Sequence, residues 1–405
     1  MALTKEQQEL KDELEREAHA RIAAQATAGG TRSASHKAEE RAKKKKGLDI
    51  SVDPKGYPNK YGPIRLCLGR YREADGLFVL PNGTPMPVET DFDTSGSFGD
   101  NIDFTLKSLP HLYESLTGSG GPLNRYDLQM AHGNFNDVED YVIVDNNLPP
   151  ICWSQYEAGE KISLQLTSLF PARDGCGNHK EESQLLLFGA AFLTKLRIWD
   201  YGLFGYHFVM TDEPCPEIID AGLLRKTFGD DVFQRVRETG YSFDEKSVPD
   251  TAETVKELIK RRHAFALIEP NHPRDCFLVR NLWPRLYGPE RVVFLPHGAE
   301  NIHLLETLII ALTEGTLDLL TAEEFLCQKG LNKVWAQQFV KAVAHIPIGA
   351  QKLRPNFDKI PPKGSVFRNK TDLWPIPPDE LAALQGAVKD EKKTKRAGKR
   401  TKWKL

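Results

Sequence analysis

Between residues 85 and 320 the chain switches repeatedly between two apolar periods. Short runs rich in aromatic and aliphatic side chains, Val88–Phe92, Tyr126–Gly133, Tyr141–Val144, Gly205–Met210, Ala264–Ile268 and Val292–Leu295, read as strands. The stretches between them carry helical spacing. Ile102, Leu106, Leu109 and Leu112 mark a helix over Asn101–Leu116, and further helices are expected at Glu160–Leu169, Glu182–Asp200, Thr251–Arg262 and Ile302–Leu312. Strand–helix alternation of this kind predicts an α/β fold: a Rossmann-like, doubly wound, mostly parallel six-stranded sheet flanked by helices. In such a sheet ligands bind beyond the carboxyl ends of the strands, so the residues that follow the strands are where chemistry is sought.

Outside this region the pattern changes. Residues 1–48 read as a charged helical arm, with Leu10, Leu14, Ala18 and Ile22 on one narrow stripe, followed by a flexible basic linker. Residues 49–84 are a turn-rich lead-in with strand candidates at Ile64–Leu68 and Gly76–Leu80. Residues 321–405 begin with helical character (Lys333–Ala344), become proline-rich over Pro355–Pro378, and end in a basic tail too charged to fold alone. The net charge of −2 therefore hides an acidic body carrying positive arms. The longest apolar runs are too short for a bilayer span and the N-terminus has no apolar leader, so a cytoplasmic location is the expectation. The six cysteines are scattered without a CxxC pair, which argues against a disulfide scaffold and against a zinc ribbon.

The candidate chemistry lies at the end of the first long strand, where Asp93-Thr94-Ser95-Gly96-Ser97 forms a D-x-S-x-S pattern. Extended backbone would point residues i, i+2 and i+4 the same way, so that one carboxylate and two hydroxyls converge. Hard oxygen ligands of this sort suit Mg²⁺ (or Mn²⁺). A second strand ends in Thr211-Asp212-Glu213-Pro214, which offers a further carboxylate at the same sheet edge, and a glycine-containing loop over 174–183 stands between them.

These three loops, in this order on this strand pattern, resemble the metal-ion-dependent adhesion site of von Willebrand factor type A domains. The resemblance covers roughly 85–320, with Asp93, Ser95, Ser97 and the closing Thr211-Asp212 matching and the later Trp283–Gly288, Arg291–Leu295 and Leu312–Gly315 similar to bacterial members. It implies a divalent-cation site built by Asp93, Ser95, Ser97 and Asp212, with Glu182 or Ser183 from the middle loop, which lacks the coordinating threonine of adhesion-type members. It further implies a binding module without catalysis of its own, whose protein partner donates an acidic side chain to the ion; bacterial intracellular members often work beside MoxR-type AAA+ ATPases.

The same residues support a rival. Asp91-Phe92-Asp93-Thr94 also resembles the nucleophile loop of haloacid-dehalogenase-like phosphohydrolases, with Asp91 or Asp93 attacking phosphorus and Mg²⁺ neutralising the phosphoryl oxygens. Against it, the preceding strand is short and interrupted, Ser95 stands where Thr or Val is usual, and no lysine loop is evident. The basic tail with Trp403 raises a third class, a structural or nucleic-acid-associated component; a solubilising terminus is the preferred reading of that tail. Cys176 and His179 lack two further ligands for zinc, and His132 and His207 read as satisfied structural histidines.

Overall fold

A computed structural model describes residues 64–140, 143–144, 150–159, 161–162, 166, 169, 171–173, 175, 180–270 and 276–384. The N-terminal stripe, the middle-loop residues 174 and 176–179, and the basic tail lie outside the described residues.

The strands are β1 (Arg65–Cys67), β2 (Arg72–Ala74), β3 (Leu77–Leu80), β4 (Pro85–Asp93), β5 (Asp127–Phe135), β6 (Ile151–Trp153), β7 (Thr194–Leu196), β8 (Gly205–Thr211), β9 (Arg262–Ile268), β10 (Val292–Phe294), β11 (Pro296–Ala299) and β12 (Ser365–Phe367). The helices that matter for the site are α1 (Asp100–Thr117), α2 (Ser183–Phe192), α3 (Ala221–Phe228), α4 (Val232–Glu238), α5 (Thr251–Ile259), α6 (Cys276–Tyr287), α7 (Ile302–Glu314), α8 (Leu319–Gln328) and α9 (Lys333–Val343). The main sheet has six strands in the order β10-β9-β8-β4-β5-β6, parallel except for β6, which runs antiparallel to β5. The expected α/β architecture, a mostly parallel six-stranded sheet flanked by helices, is what the chain forms. Among the described residues no helix is long and apolar enough to cross a membrane.

Two expectations are corrected. Of the strand expected over Tyr141–Val144, residues 143–144 are helical, with Val144 N–H donating to Asp140 O at 2.9 Å, while residues 141–142 lie outside the described residues; β6 pairs with β5 at the edge of the sheet. The cause is local. The Asp137 and Asp140 carboxylates accept backbone N–H groups from Glu139 and Asp137 and wind the segment into a turn, and a short apolar run carries no period that would forbid it. The helix expected over Glu182–Asp200 stops at Phe192, because Thr194–Leu196 pairs in parallel with Arg65–Cys67 and a 3-10 turn over Arg197–Tyr201 follows.

Alternation along β4 sorts its side chains. Met86, Val88 and Phe92 join the apolar cluster shared with α1 and α7, whereas Asp91 lies on the α2 side, where its Oδ1 and Leu186 both crowd the face of Gly133. A Cβ on Gly133 would sit 2.4 Å from that oxygen, so the glycine is what lets the Asp91 carboxyl lie flat on β5. The second apolar cluster, from α2, α3, α4, α5 and α6, covers this face. Residues beyond 320 are not set apart: Ala322, Leu326, Phe339, Val343, Phe357 and Ile360 are buried in the first cluster, and β12 pairs antiparallel with β3.

α7 is buried on nearly every side, and Glu306 lies in its middle with Thr90 Oγ1 donating to its carboxyl at 3.0 and 3.1 Å. Burial pushes this acid up to about 8, from an ordinary value of 4.5, the Thr90 bond only partly opposing it. The folded state therefore keeps a proton that the unfolded chain releases, so the stability due to this group falls as pH rises from about 4.5 to about 8. Compared with Glu306→Gln, the wild type should lose stability over that window with a slope approaching about 1.4 kcal/mol per pH unit. Urea unfolding of both proteins at pH 5.5 and pH 8 measures this, and an unchanged difference between them would contradict it.

Candidate metal centre

The parallel register of β4 and β8 pairs Phe92 with Met210, so the next residues, Asp93 and Thr211, end their strands side by side. Thr211 Oγ1 donates to Asp93 Oδ2 at 2.7 Å. The chain then turns rather than continuing extended. Ser95 N–H and Ser95 Oγ both donate to Asp93 Oδ1, at 2.9 and 2.7 Å, and Gly99 N–H closes back on Gly96 O at 3.2 Å. Convergence of the D-x-S-x-S side chains thus comes from a tight turn pinned by the aspartate, not from strand alternation. Ser97 Oγ lies 3.0 Å from Ser95 Oγ and donates to Asp212 Oδ1 at 3.3 Å. α1 begins at Asp100, one residue ahead of the expected Asn101; its first turn has no side-chain cap, and the Ser97 hydroxyl is bonded to Asp212 instead. Asp93, Ser95 and Asp212 are buried, while Gly96 and Ser97 are exposed and form the open side.

Negative charge is crowded here. Burial pushes Asp93 up to about 7, with the nearby Glu213 adding to the shift and the bonds from Ser95 and Thr211 opposing it. Asp212 is pushed up to about 8 by burial and by the Asp93 and Glu213 carboxylates. Glu181, two residues before α2, is also raised well above the usual range by burial and by Asp93, Asp140 and Glu213, with Ser95 partly opposing the shift. Like charges gathered out of water disfavour ionisation unless a cation is present.

The structure brings Asp93, Ser95, Ser97 and Asp212 together and adds Glu181, which the sequence did not single out. Glu182 and Ser183 are placed beside the cluster. Glu182 accepts from the Gln184 amide and has Asp137 and Glu139 as its acidic neighbours, burial pushing it up to about 7. Ser183 opens α2, buried beside the Cys215 thiol. The bond from Glu181 N–H to Pro214 O, 3.1 Å, ties the residue ahead of α2 to the β8 loop and turns Glu181 inward. Adjacent acids in Lys180-Glu181-Glu182 carry no sequence signal that could make that choice.

Do these groups fit a divalent ion? Mg²⁺ bonds oxygen at about 2.0–2.1 Å in an octahedron, which separates neighbouring ligands by about 3 Å. The successive oxygen spacings from Asp93 to Ser95 to Ser97 to Asp212 are 2.7, 3.0 and 3.3 Å. The donor set is hard oxygen throughout and its carboxylates are in excess, so the residues fit.

A deeper acidic group has a different character. Ligand atoms of Glu89, Asp91 and His207 lie within 4.8 Å of one another. Glu89, however, is clasped by the Arg65 and Arg262 guanidiniums and by the Tyr156 hydroxyl, while His207 Nε2 is 3.0 Å from Asp91 Oδ2. Two guanidiniums already balance the two carboxylates in this buried space, and a divalent ion would leave positive charge uncompensated. The cluster is an ion-pair network tying β1, β4, β8 and β9 together. His207 meets the expectation of a satisfied histidine only in part: Nε2 is bonded to Asp91, while the buried Nδ1 has no hydrogen-bond partner among the described residues. His132 departs from that reading: it is fully buried, burial lowers it to about 3, and neither ring nitrogen has a hydrogen-bond partner among the described residues.

Compared with protein-family models and with curated proteins, the chain matches none.

Proposed function

We propose that this chain is a divalent-cation-dependent protein-binding module of the von Willebrand factor type A kind, holding Mg²⁺ (or Mn²⁺) and acting in a cytoplasmic assembly without catalysis of its own. The observation that carries the reading is the run of oxygens from Asp93, Ser95, Ser97 and Asp212, spaced 2.7–3.3 Å at the carboxyl edge of a parallel sheet. The crowded carboxylates beside it supply charge for a cation, and exposed Ser97 marks the side from which a partner's acidic side chain reaches the ion. The resemblance points to a MoxR-type AAA+ ATPase as the class of partner. The alternative nucleophile Asp91 is fully buried, bonded to His207 and pressed on Gly133, which leaves no approach for a phosphoryl group.

Calorimetric titration of the full chain with Mg²⁺ and with Mn²⁺ tests the proposal. Saturable one-site binding of both is expected, with no turnover of a phosphomonoester in the same buffer. Absence of binding by either ion would overturn the metal reading, and Mg²⁺-dependent phosphate release would move the assignment to a hydrolase using Asp93.

A further inference from the structure

Glu181 is held across the end of β4 by bonds to the ends of both neighbouring strands. Its N–H donates to Pro214 O, beyond β8, at 3.1 Å, and the N–H of Glu182 donates to Asn136 O, beyond β5, at 3.3 Å. In the sheet β4 lies between β8 and β5, so the backbone at Glu181 spans the edge at which Asp93 ends its strand. The Glu181 carbonyl is engaged as well, accepting the Ser183 N–H at 2.8 Å.

Glu181 is only 5% exposed, and its Oε2 has no hydrogen-bond partner among the described residues. A buried carboxylate oxygen without a donor is costly. The charges that act on this carboxyl, from Asp93, Asp140 and Glu213, are themselves acidic. Glu89, by contrast, is buried with two guanidiniums and a hydroxyl around it. Glu181 thus offers a hard oxygen, desolvated and unused, beside the oxygens of Asp93 and Ser95. The residues that follow it are engaged elsewhere. Glu182 accepts from the Gln184 amide beside Asp137 and Glu139, and Ser183 lies beside the Cys215 thiol.

We propose that Glu181 is the middle loop's ligand to the cation, completing a set of three carboxylates with Asp93 and Asp212. The proposal rests on the metal reading above and adds what governs the partner. Three carboxylates around a divalent ion leave one negative charge. The chain therefore holds its cation without help from a partner, and the partner's acidic side chain meets a centre that repels it. Glu181 sets that balance, tight on the ion and weak on the acid, which suits a contact that forms and breaks.

The test uses the full chain loaded with Mn²⁺, whose effect on water-proton relaxation counts the waters it retains. Glu181→Ala should leave one more water on the ion. It should also bind Mn²⁺ at least about tenfold more weakly, the lower end of what losing even an outer-shell partner costs. Glu181→Gln keeps an oxygen at the position and removes a charge. It should show the wild-type water count and take acetate, read by the loss of one water on titration, about tenfold more tightly than the wild type. Wild-type water count and Mn²⁺ affinity in Glu181→Ala, or unchanged acetate affinity in Glu181→Gln, would overturn the proposal and leave the metal reading standing. An extra water in Glu182→Ala and none in Glu181→Ala would give the loop's ligand to Glu182, with the same consequence. If Glu181→Ala does not fold, the acetate measurement on Glu181→Gln decides by itself. No Mn²⁺ binding by the wild type would overturn both readings.

Discussion

Asp93→Asn should abolish the stabilisation that Mg²⁺ confers, while the variant in EDTA stays at least as stable as the wild type. The first half follows from geometry. Asp93 Oδ1 is the atom on which Ser95 N–H and Ser95 Oγ close, and its other oxygen meets Thr211, so a single side chain holds the first and third loops in one place. An amide at that position offers a cation one neutral oxygen in place of a charged pair. At a Mg²⁺ concentration of about 100 Kd the wild type should gain about 2.7 kcal/mol, because the ion binds the folded state alone, and the variant should gain nothing. The second half follows from the crowding. Without a cation the crowded acids Asp93, Asp212 and Glu181 are held toward their neutral, protonated forms, so a neutral amide at position 93 stands close to the acid it replaces. Thermal unfolding of both proteins in EDTA and in excess Mg²⁺ gives the four values needed. A variant that keeps the Mg²⁺ shift would remove Asp93 from the site. One destabilised by several kcal/mol in EDTA would make the Asp93 carboxylate a structural pin rather than a ligand.

Glu89→Ala should have the largest effect on stability, about 3–5 kcal/mol, the range observed when one partner is deleted from a buried charge pair. Burial alone would raise the Glu89 pKa, but Arg65, Arg262, His207 and the Tyr156 hydroxyl more than offset this and hold the carboxyl well below the usual range. All of these groups are out of water. Truncation leaves Arg65, stacked 3.7 Å over the Trp153 ring, and Arg262, bonded to Ala190 O at 2.9 Å, without their counter-charge. The loss should be non-additive: Arg65→Met added to Glu89→Ala should recover part of it, since one of the orphaned charges is gone. The pH dependence has the opposite sign to that of Glu306. A carboxyl depressed in the folded state contributes fully above its ordinary value near 4.5 and loses that contribution as pH falls through its lower folded value. Urea midpoints at pH 7 and pH 4 for the wild type, the single and the double variant measure all three points, and a loss under about 1 kcal/mol for Glu89→Ala would show that the network is not balanced by this residue.

Much of this molecule is legible along the chain. Short apolar runs and period-3.6 apolar patterns mark the central strands Gly205–Thr211 and Arg262–Ile268 and the long helices Asp100–Thr117 and Ile302–Glu314 almost to their ends, because a strand buried on both faces and a helix packed on a sheet each demand a continuous choice of side chains. Asp93, Ser95, Ser97 and Asp212 are legible for a related reason: a site at the carboxyl ends of parallel strands draws on residues that directly follow apolar runs. The groups invisible in sequence owe their places to packing. Arg65 reaches Glu89 across 24 residues and Arg262 across 173, and no local pattern marks a charge that will be buried between strands. Glu181 and Glu182 are both buried, yet Glu181 faces Asp93 and Glu182 faces Asp137 and Glu139, and the edge of the sheet falls to β6, none of which a local pattern marks. By itself, then, the sequence determined the class of fold, the layering of its elements and the oxygen-bearing side chains gathered at one edge, since these follow from solvation and local geometry. Tertiary structure alone decided the charge network beneath the site and the acid that faces Asp93, since each joins segments whose approach depends on the whole core having formed.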